Sequence, residues 1–517
     1  MQVADFEEAP TKARHPAYET SMLYTTAPEW STGEVLLAAA CRGLVLEVSE
    51  SAVDLANIRG VPELMPTAVG GVDTWTRLLT ARGGLSSPLR HGQHSPMAAR
   101  QLMPLVPQIA RIAGVLGKRP RSRWNPANLL KETVGAGVGQ ELGKALLRSL
   151  GEALVVSAAD DVFSRFVENS LSEALQDLQP VPARVPPFES LTLKDEETRA
   201  FRRNRAPRGL SPAERFARDL EAAIAIKAGL SRRQWTVLLE SMLRVGLGMH
   251  VLWSCNANIV AWETALSVAS GSTSPAARDV ELAVWEARGD AWPLLELGAD
   301  AEPLIKRRIE KYAFARTGLN LLLCLLEEVG SGWHPGTPIG CSTGSHDAPA
   351  ALAAFLAHVE ASRHSLGPAD AGKALRDRVG QLFDQREDLR ALANCKSGYT
   401  KNLFEFVRHS LGQVKAKDPD QRCYDLSYLL AYSGDDQKPL PVQPGPAMLV
   451  MLVQACCAAN PAIPVSLDDF RRHLGDYGLH APAGELIHGK TGRDMAILGL
   501  VVDSPDAAGG RLLVRPF

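Results

Sequence analysis

The chain has 517 residues, of which 45% are hydrophobic and 22% are charged, and its formal net charge at pH 7 is −2. These proportions are ordinary for a globular protein of several domains. The near-neutral balance excludes a globally basic protein that coats nucleic acid, although a local basic patch could still bind phosphate.

The cysteines and the apolar runs indicate in which cellular compartment the protein is expected. The eight cysteines are scattered, and no Cys-x-x-Cys pair indicates a metal or redox site. Residues 1–8 are acidic and polar, unlike a secretory signal. The longest apolar runs, 238–268 and 319–326, are interrupted by charge or too short to cross a bilayer. We therefore expect a cytoplasmic protein with buried thiols and no membrane segment.

Residues 1–178 predict an N-terminal helical domain. Its clearest helix is Ala158–Leu178, where apolar side chains recur at helical spacing. The basic cluster Lys118–Trp124 includes an aromatic residue and could hold a phosphate backbone while stacking a base. A solvated loop is the alternative interpretation of this cluster.

Residues 179–209 are rich in proline and charge, which is typical of a linker between domains. The densest positive charge of the chain lies here, between Arg199 and Arg208. We name Arg202, Arg203 and Arg205 as candidate DNA contacts, since clustered arginines bind phosphates. A solvated linker without a ligand is the alternative.

Residues 210–440 predict a central helical domain. Ser231 is suited to cap a helix that continues, whole or broken in two, from Arg232 to Val268. Apolar side chains on every side of this run indicate central burial. Glu240 and His250 within it could suggest acid–base chemistry, but a histidine in such a run is more often a core group.

The loop 330–349 is the one constellation that resembles an active site. Cys341, His346 and Asp347 are residue types for a cysteine nucleophile with its base, or for a zinc site. The spacing matches no standard ligand set, and catalytic Cys and His normally come from separate elements. We therefore predict no enzymatic activity, no catalytic residue, no metal and no cofactor.

The segment 441–517 has the element order of a winged helix-turn-helix. Ser466 and Asp469 form a capping-box pattern at a helix start. The predicted elements are a buried helix over Met448–Cys457, a helix over Leu467–Leu474, a helix within Ala483–Leu498, and strands at Leu500–Val502 and Leu512–Val514. The expected fold class is mainly α, a multi-domain helical protein with a C-terminal winged helix-turn-helix that adds a small β-wing.

This tail supplies the main candidate DNA contacts. We expect Lys490, Thr491 and Arg493 to face a major groove, and Arg511 or Arg515 of the wing to contact phosphates. Acidic residues balance these cations along the segment, so a strong basic footprint is missing. The alternative is that the same module docks on a protein and never contacts nucleic acid.

Gly484–Thr491 matches the letters of the phosphate-binding loop G-x-x-x-x-G-K-[ST]. Its variable positions are bulky, and only 26 residues follow Thr491. These are too few for the parallel sheet and the acidic magnesium ligand of such a fold. We predict that this segment binds no nucleotide.

Two segments, Leu230–Trp253 and Leu498–Gly510, resemble uncharacterised accessory proteins encoded in multi-gene bacterial anti-phage defence systems. Together they cover a small part of the chain. The resemblance implies a non-catalytic subunit that works beside an ATPase, helicase, methyltransferase or nuclease. It carries over no catalytic residue.

Three hypotheses follow. The first is a DNA-binding or scaffolding subunit of a bacterial anti-phage defence complex. The second is an adaptor that binds proteins and has no affinity for DNA. The third is a hydrolase or nuclease that uses the loop 330–349.

Overall fold

The computed structural model describes residues 2–12, 15–19, 36–37, 126–154, 162, 165, 212–280, 282–283, 293–330, 348–367, 370–413, 425–432, 440–459, 464–504 and 511–517. This part of the chain is mainly helical, which confirms the predicted mainly α class. Four features predicted from the sequence lie outside the described residues: the cluster Lys118–Trp124, most of the helix Ala158–Leu178, the three linker arginines, and the loop 331–347.

The described elements are helices of widely different length and a few very short strands. The N-terminal helices are α1 (Val3–Glu8), α2 (Pro16–Glu19), α3 (Pro126–Val138) and α4 (Gln140–Leu154). The central elements are α5 (Pro212–Ala225), α6 (Arg232–Ala269), α7 (Ala277–Val280), β1 (Leu295–Glu296), α8 (Ala301–Glu328), α9 (Ala348–Ser362), α10 (Ala371–Gln385), α11 (Glu387–Ala393) and α12 (Gly398–Leu411). The tail elements are α13 (Pro446–Ala459), α14 (Leu467–Asp476), β2 (Leu479–His480), α15 (Ala483–Ile487), α16 (Lys490–Ile497), β3 (Val501–Asp503) and β4 (Arg511–Leu513).

Helix α6 is the centre of the fold. It is one continuous helix of 38 residues, and Ser231 caps it in a capping box with Gln234. The elements α5, α8, α12 and α13 pack around it, which explains its apolar residues on every side. Two glycines allow this close packing. A Cβ at Gly246 would lie 2.0 Å from the Phe216 ring, and one at Gly318 of α8 would lie 2.5 Å from the Trp262 ring.

The N-terminal helices α1 and α2 dock on α8. The backbone N–H of Val3 donates to Glu328 Oε1 at 2.7 Å, and the N–H of His15 donates to Asn320 Oδ1 at 2.8 Å. The hydroxyl of Tyr18 donates to Asn258 of α6 at 2.6 Å. These hydrogen bonds, together with the packing of α3 on α5, attach the described N-terminal elements to the central helices.

A buried ionic network lies beside α6. Arg244 donates from Nε to Glu240 at 2.6 Å and from Nη1 to Asp425 at 2.8 Å. Glu240 also accepts from the backbone N–H groups of Leu36 and Leu37, at 3.0 and 2.6 Å. Burial alone would lower the pKa of Arg244, but the adjacent carboxylates of Asp425 and Glu240 raise it above its usual value. The network therefore joins α6 to two distant segments, at Leu36–Leu37 and at Asp425.

The tail begins inside this core. Helix α13 is buried against α5 and α6, and the β2 strand of the tail pairs in parallel with β1. The register pairs Leu295 with Leu479 and Glu296 with His480. The predicted boundary between 210–440 and 441–517 therefore runs through a shared hydrophobic core. Only the outer part of the tail, from α14 onward, carries exposed helix and ribbon surface.

Within the described helices, none combines the length and the apolar content that a bilayer-spanning segment needs.

Candidate functional site

The tail elements occur in the predicted order, with two differences: the short strand β2 between α14 and α15, and a break in the third helical stretch. Helix α14 begins at Leu467 with a complete capping box: Ser466 N–H donates to Asp469 Oδ2 at 2.8 Å, and Asp469 N–H donates to Ser466 Oγ at 3.2 Å. The stretch 483–498 is not one helix, because it divides at residues 488–489 into α15 and α16. Strands β3 and β4 then pair antiparallel, with Val502 opposite Leu512.

Glu485 explains the division of the third stretch. Its Oε1 accepts from both the backbone N–H and the hydroxyl of Thr491, at 2.9 and 2.8 Å, and so caps the first turn of α16 from α15. Gly489 makes the sharp approach possible, since a Cβ there would lie 2.6 Å from the Glu485 Cα. One carboxylate therefore links the two short helices.

Thr491 does not face solvent. Its side chain is only 1% exposed and donates inward to Glu485. The expectation that Thr491 contacts DNA stays a prediction, but in this structure its hydroxyl serves the cap of α16 rather than the surface.

Two of the predicted cations are already paired within the tail. Lys490 Nζ lies 3.3 Å from Asp494 Oδ2 on the next turn of α16. Arg511 Nε lies 3.0 Å from Asp503 Oδ1 across the ribbon, and its Nη1 donates to the Ile487 carbonyl at 3.0 Å. Each of these carboxylates offsets the charge that the cation would present to a phosphate.

Arg493 and Arg515 differ from Lys490 and Arg511 in their partners. Both are exposed, Arg493 on the solvent side of α16 and Arg515 just after the ribbon. In the tail residues 464–504 and 511–517, no carboxylate forms an ion pair with either guanidinium. They are therefore the cations of this surface that are most available to an external anion. Arg202, Arg203 and Arg205 lie outside the described residues.

The tail also exposes apolar side chains that the sequence did not single out. Ile497, one turn after Arg493 on α16, is 82% exposed, Val502 of β3 is 50% exposed and Val514 is 39% exposed. We name the set Arg493, Ile497, Val502, Val514 and Arg515 the outer face of the tail. A helix face with a cation and an apolar residue four positions apart was a readable signal for it.

The opposite side of the tail is anchored by buried polar contacts to α5. Arg215 Nε donates to Asp476 Oδ2 at 2.8 Å, and the Tyr477 hydroxyl donates to Asp219 Oδ2 at 2.7 Å. His473 Nε2 lies 2.9 Å from the same Asp219 oxygen. Burial, together with the neighbouring Asp219 carboxylate, raises the pKa of Tyr477 well above its usual value. These contacts fix the orientation in which the outer face is presented.

The segment Gly484–Thr491 does not form a phosphate cradle. Its first half lies in α15, and the N–H of Thr491 donates to Glu485 rather than into an open loop. Lys490 pairs with Asp494. The prediction that this segment lacks the architecture of a nucleotide loop is consistent with this geometry.

The other chemical candidates from the sequence are buried or lie outside the described residues. Burial lowers the pKa of His250 to about 3, and its ring stacks on Trp253 with centroids 5.4 Å apart. Glu240 is used by Arg244 and by two backbone amides. Cys341, His346 and Asp347 lie outside the described residues. Among the residues that are described, no group of three His, Cys, Asp or Glu side chains could hold a metal ion.

The cysteines that the structure describes are buried free thiols: Cys255, Cys324, Cys395, Cys456 and Cys457. Burial raises the pKa of each, to about 12 for Cys255 and Cys324. They are therefore small hydrophobic core groups, as predicted, rather than reactive nucleophiles.

Comparisons with protein-family models, with curated proteins and with solved structures return no match for this chain.

Proposed function

We propose that this chain is a non-catalytic DNA-binding or scaffolding subunit of a bacterial anti-phage defence complex, and that residues 466–517 act as its winged helix-turn-helix. In this proposal α16 enters a groove and the β3–β4 ribbon is the wing. The resemblance of Leu230–Trp253 and Leu498–Gly510 to defence-system accessory proteins supports the biological setting. An ATPase, helicase or nuclease encoded nearby would supply the chemistry.

One observation carries the DNA-binding part. Arg493 and Arg515 are exposed, and among the described residues no carboxylate forms an ion pair with either; Arg493 lies on α16, and Arg515 directly follows the β3–β4 ribbon. Most protein–DNA hydrogen bonds go to phosphate and sugar, and arginine is suited to bidentate phosphate contact. The anchoring of α14 to α5 leaves this face toward solvent.

The test is a mobility-shift titration of the full-length protein with double-stranded DNA over a range of salt concentrations. The double variant R493A/R515A should weaken binding and reduce the slope of log K against log[salt] by roughly two, because two phosphate contacts are lost. Binding by the double variant that equals wild type at every salt concentration would contradict the proposal for this face.

A matched control removes the same formal charge from paired positions. K490A/R511A also lowers the net charge by two, but these cations already have Asp494 and Asp503 as partners. We expect a smaller loss of affinity than for R493A/R515A. An equal loss in both variants would indicate that only long-range charge matters and that no defined contact exists.

The exposed apolar residues favour a second candidate, the protein-binding adaptor. Ile497 at 82% exposure is an unusual residue to present to a polar groove, and apolar residues at the centre of an exposed face are typical of protein interfaces. If the full-length protein shows no affinity for DNA even at low salt, and I497D abolishes co-purification with the products of neighbouring genes, the adaptor replaces the DNA-binding proposal.

A further inference from the structure

The β3–β4 ribbon belongs to a small antiparallel sheet in which β3 is an edge strand. Strand β4 pairs with β3 on one side. On its other side β4 pairs with residues 465–466 in a bridge between Ser466 and Leu512. The Leu513 N–H donates to the Val465 carbonyl at 2.7 Å on that side. The strand order is therefore 465–466, β4, β3, and among the described residues no strand pairs with the outer side of β3.

The hydrogen bonds of the ribbon determine which backbone groups of β3 face outward. The Val514 N–H donates to the Leu500 carbonyl at 2.9 Å, so residue 500 points its carbonyl toward β4. Because these groups alternate in direction along an antiparallel strand, residue 502 also points toward β4, whereas Val501 and Asp503 point away from it. Among the described residues, none forms a backbone hydrogen bond with these outward N–H and C=O groups. The outer edge of β3 therefore offers both donors and acceptors to another strand.

Strand β3 lacks the usual protection of a sheet edge. It is the only one of the four described strands without a buried residue. It contains no proline and no lysine, and no bulge interrupts its register with β4. Its one charge, on Asp503, is paired with Arg511 of the same ribbon. Proteins usually block an exposed edge with such devices, because a bare edge pairs readily with another strand.

The sequence of β3 makes this edge complementary to itself. When two copies of β3 are placed antiparallel about Val502, Val501 of each copy lies opposite Asp503 of the other. Both residues point their backbone groups outward, so each such pair exchanges two hydrogen bonds and all the free groups are used. The two Val502 side chains then meet as the central pair, with Cα atoms about 4.5 Å apart. Val502 is 50% exposed in the single chain, so this pairing buries apolar surface.

Other registers of the same two strands are less favourable. A shift of two residues in one direction places Asp503 opposite Asp503, and like charges directly opposite each other are destabilising. A shift of two residues in the other direction places Asp503 opposite Gly499, whose φ of +69° does not continue a strand. The register centred on Val502 avoids both costs and leaves Asp503 with Arg511 as its partner.

We propose that β3 is a homodimerisation edge, through which two copies of this chain pair antiparallel with a two-fold axis at Val502. The two small sheets join into one continuous sheet, and the interface has the same residues on both sides, as a two-fold dimer requires. An edge of three residues is smaller than a standard interface, so the dimer is weak and forms with rising concentration. The dimer goes beyond the function proposed above and is independent of DNA binding.

The test is sedimentation equilibrium of the full-length protein from micromolar to millimolar concentration, in which wild type should change from monomer to dimer. D503P removes the outward N–H of residue 503 and leaves the hydrogen bonds between β3 and β4 in place. Each dimer then loses two hydrogen bonds, so its Kd should rise roughly tenfold or more. D503A is the matched control, because it removes the same carboxylate and keeps the N–H. Its Kd should stay within about twofold of wild type.

A second measurement covers a failure of D503P to fold. In V502C the introduced thiols face each other at the two-fold axis, at a Cα separation that a disulfide can span, so oxidation should give a covalent dimer. V514C is the control, because Val514 follows β4 and lies one strand further from the axis. It should cross-link no more than wild type does.

Two results would overturn the proposal. One is a folded D503P whose Kd equals that of D503A. The other is a wild type that stays monomeric at every concentration together with V502C that cross-links no more than V514C, including the case in which the edge of β3 binds a strand of a different protein.

Discussion

The charged side chains of the buried network around Arg244 are paired with each other, whereas the arginines on the outer face of the tail are not. Arg244 is fully enclosed, and two carboxylates pair with it at 2.6 and 2.8 Å. Arg493 and Arg515 lie in solvent and are matched by no carboxylate within the described tail. Charge in the first region determines the fold, and charge in the second is available for a partner. The difference predicts large effects on stability in one region and almost none in the other.

The largest effect is expected from R244M. It leaves the buried carboxylates of Glu240 and Asp425 without the cation that pairs with both, and removing one partner from a buried ion pair costs about 3–5 kcal/mol. Urea unfolding of full-length wild type and variant measures the change in the free energy of unfolding. A loss below about 1 kcal/mol would mean that water reaches Arg244 and that the network is not dry.

The next effect is a dependence on pH. Burial lowers the pKa of His250 to about 3, against 6.5 for an exposed histidine, so below pH 6.5 the unfolded chain binds a proton that the folded chain does not. The stability contributed by neutral His250 is therefore fully present above pH 6.5 and is lost as pH falls toward 3. Each pH unit in this window should cost about 1.4 kcal/mol.

The variant H250L isolates this contribution. Between pH 6.5 and 5 its free energy of unfolding should fall less steeply than that of wild type, by about 1 kcal/mol per pH unit. Denaturant unfolding at a series of pH values in this range measures both slopes. Parallel slopes for the two proteins would show that His250 titrates in the folded state and is not enclosed.

Several elements could be predicted because their signals are local. Ser231 with Gln234 and Ser466 with Asp469 each place a capping box at the start of a helix, and the structure confirms both starts. The end of α16 also has a local signal, since Gly499 has a φ of +69° and a strand follows it. Periodicity and caps act within a few residues, so the sequence reveals them directly.

What could not be predicted depends on contacts between distant residues. The carboxylate of Glu485 turns Thr491 inward and divides one predicted helix into α15 and α16. Glu240 accepts from amides at Leu36 and Leu37, more than two hundred positions away in the chain. The tail shares its core with α6, which no composition change at residue 441 indicates. These contacts form only in the tertiary fold, so the local sequence pattern does not reveal them.

A moderate effect is expected at the junction of the two regions. The Tyr477 hydroxyl donates to the buried carboxylate of Asp219 at 2.7 Å. Y477F keeps the ring and removes this bond, which should cost about 1–3 kcal/mol because a charged acceptor loses a donor. Chemical unfolding gives the loss in stability. If the tail is held as described, a protease should also cleave after α13 faster in Y477F than in wild type, whereas equal cleavage would mean that the contact does not hold the tail.

The smallest effect on stability belongs to the outer face. R493A/R515A should change the free energy of unfolding by less than about 0.5 kcal/mol, because both side chains are exposed and unpaired. Unfolding curves for this variant and for wild type should therefore superimpose, even where their affinities for DNA differ. A destabilisation comparable to that of Y477F would mean that these arginines support the fold. A loss of DNA binding in R493A/R515A would then reflect damage to the module rather than missing phosphate contacts.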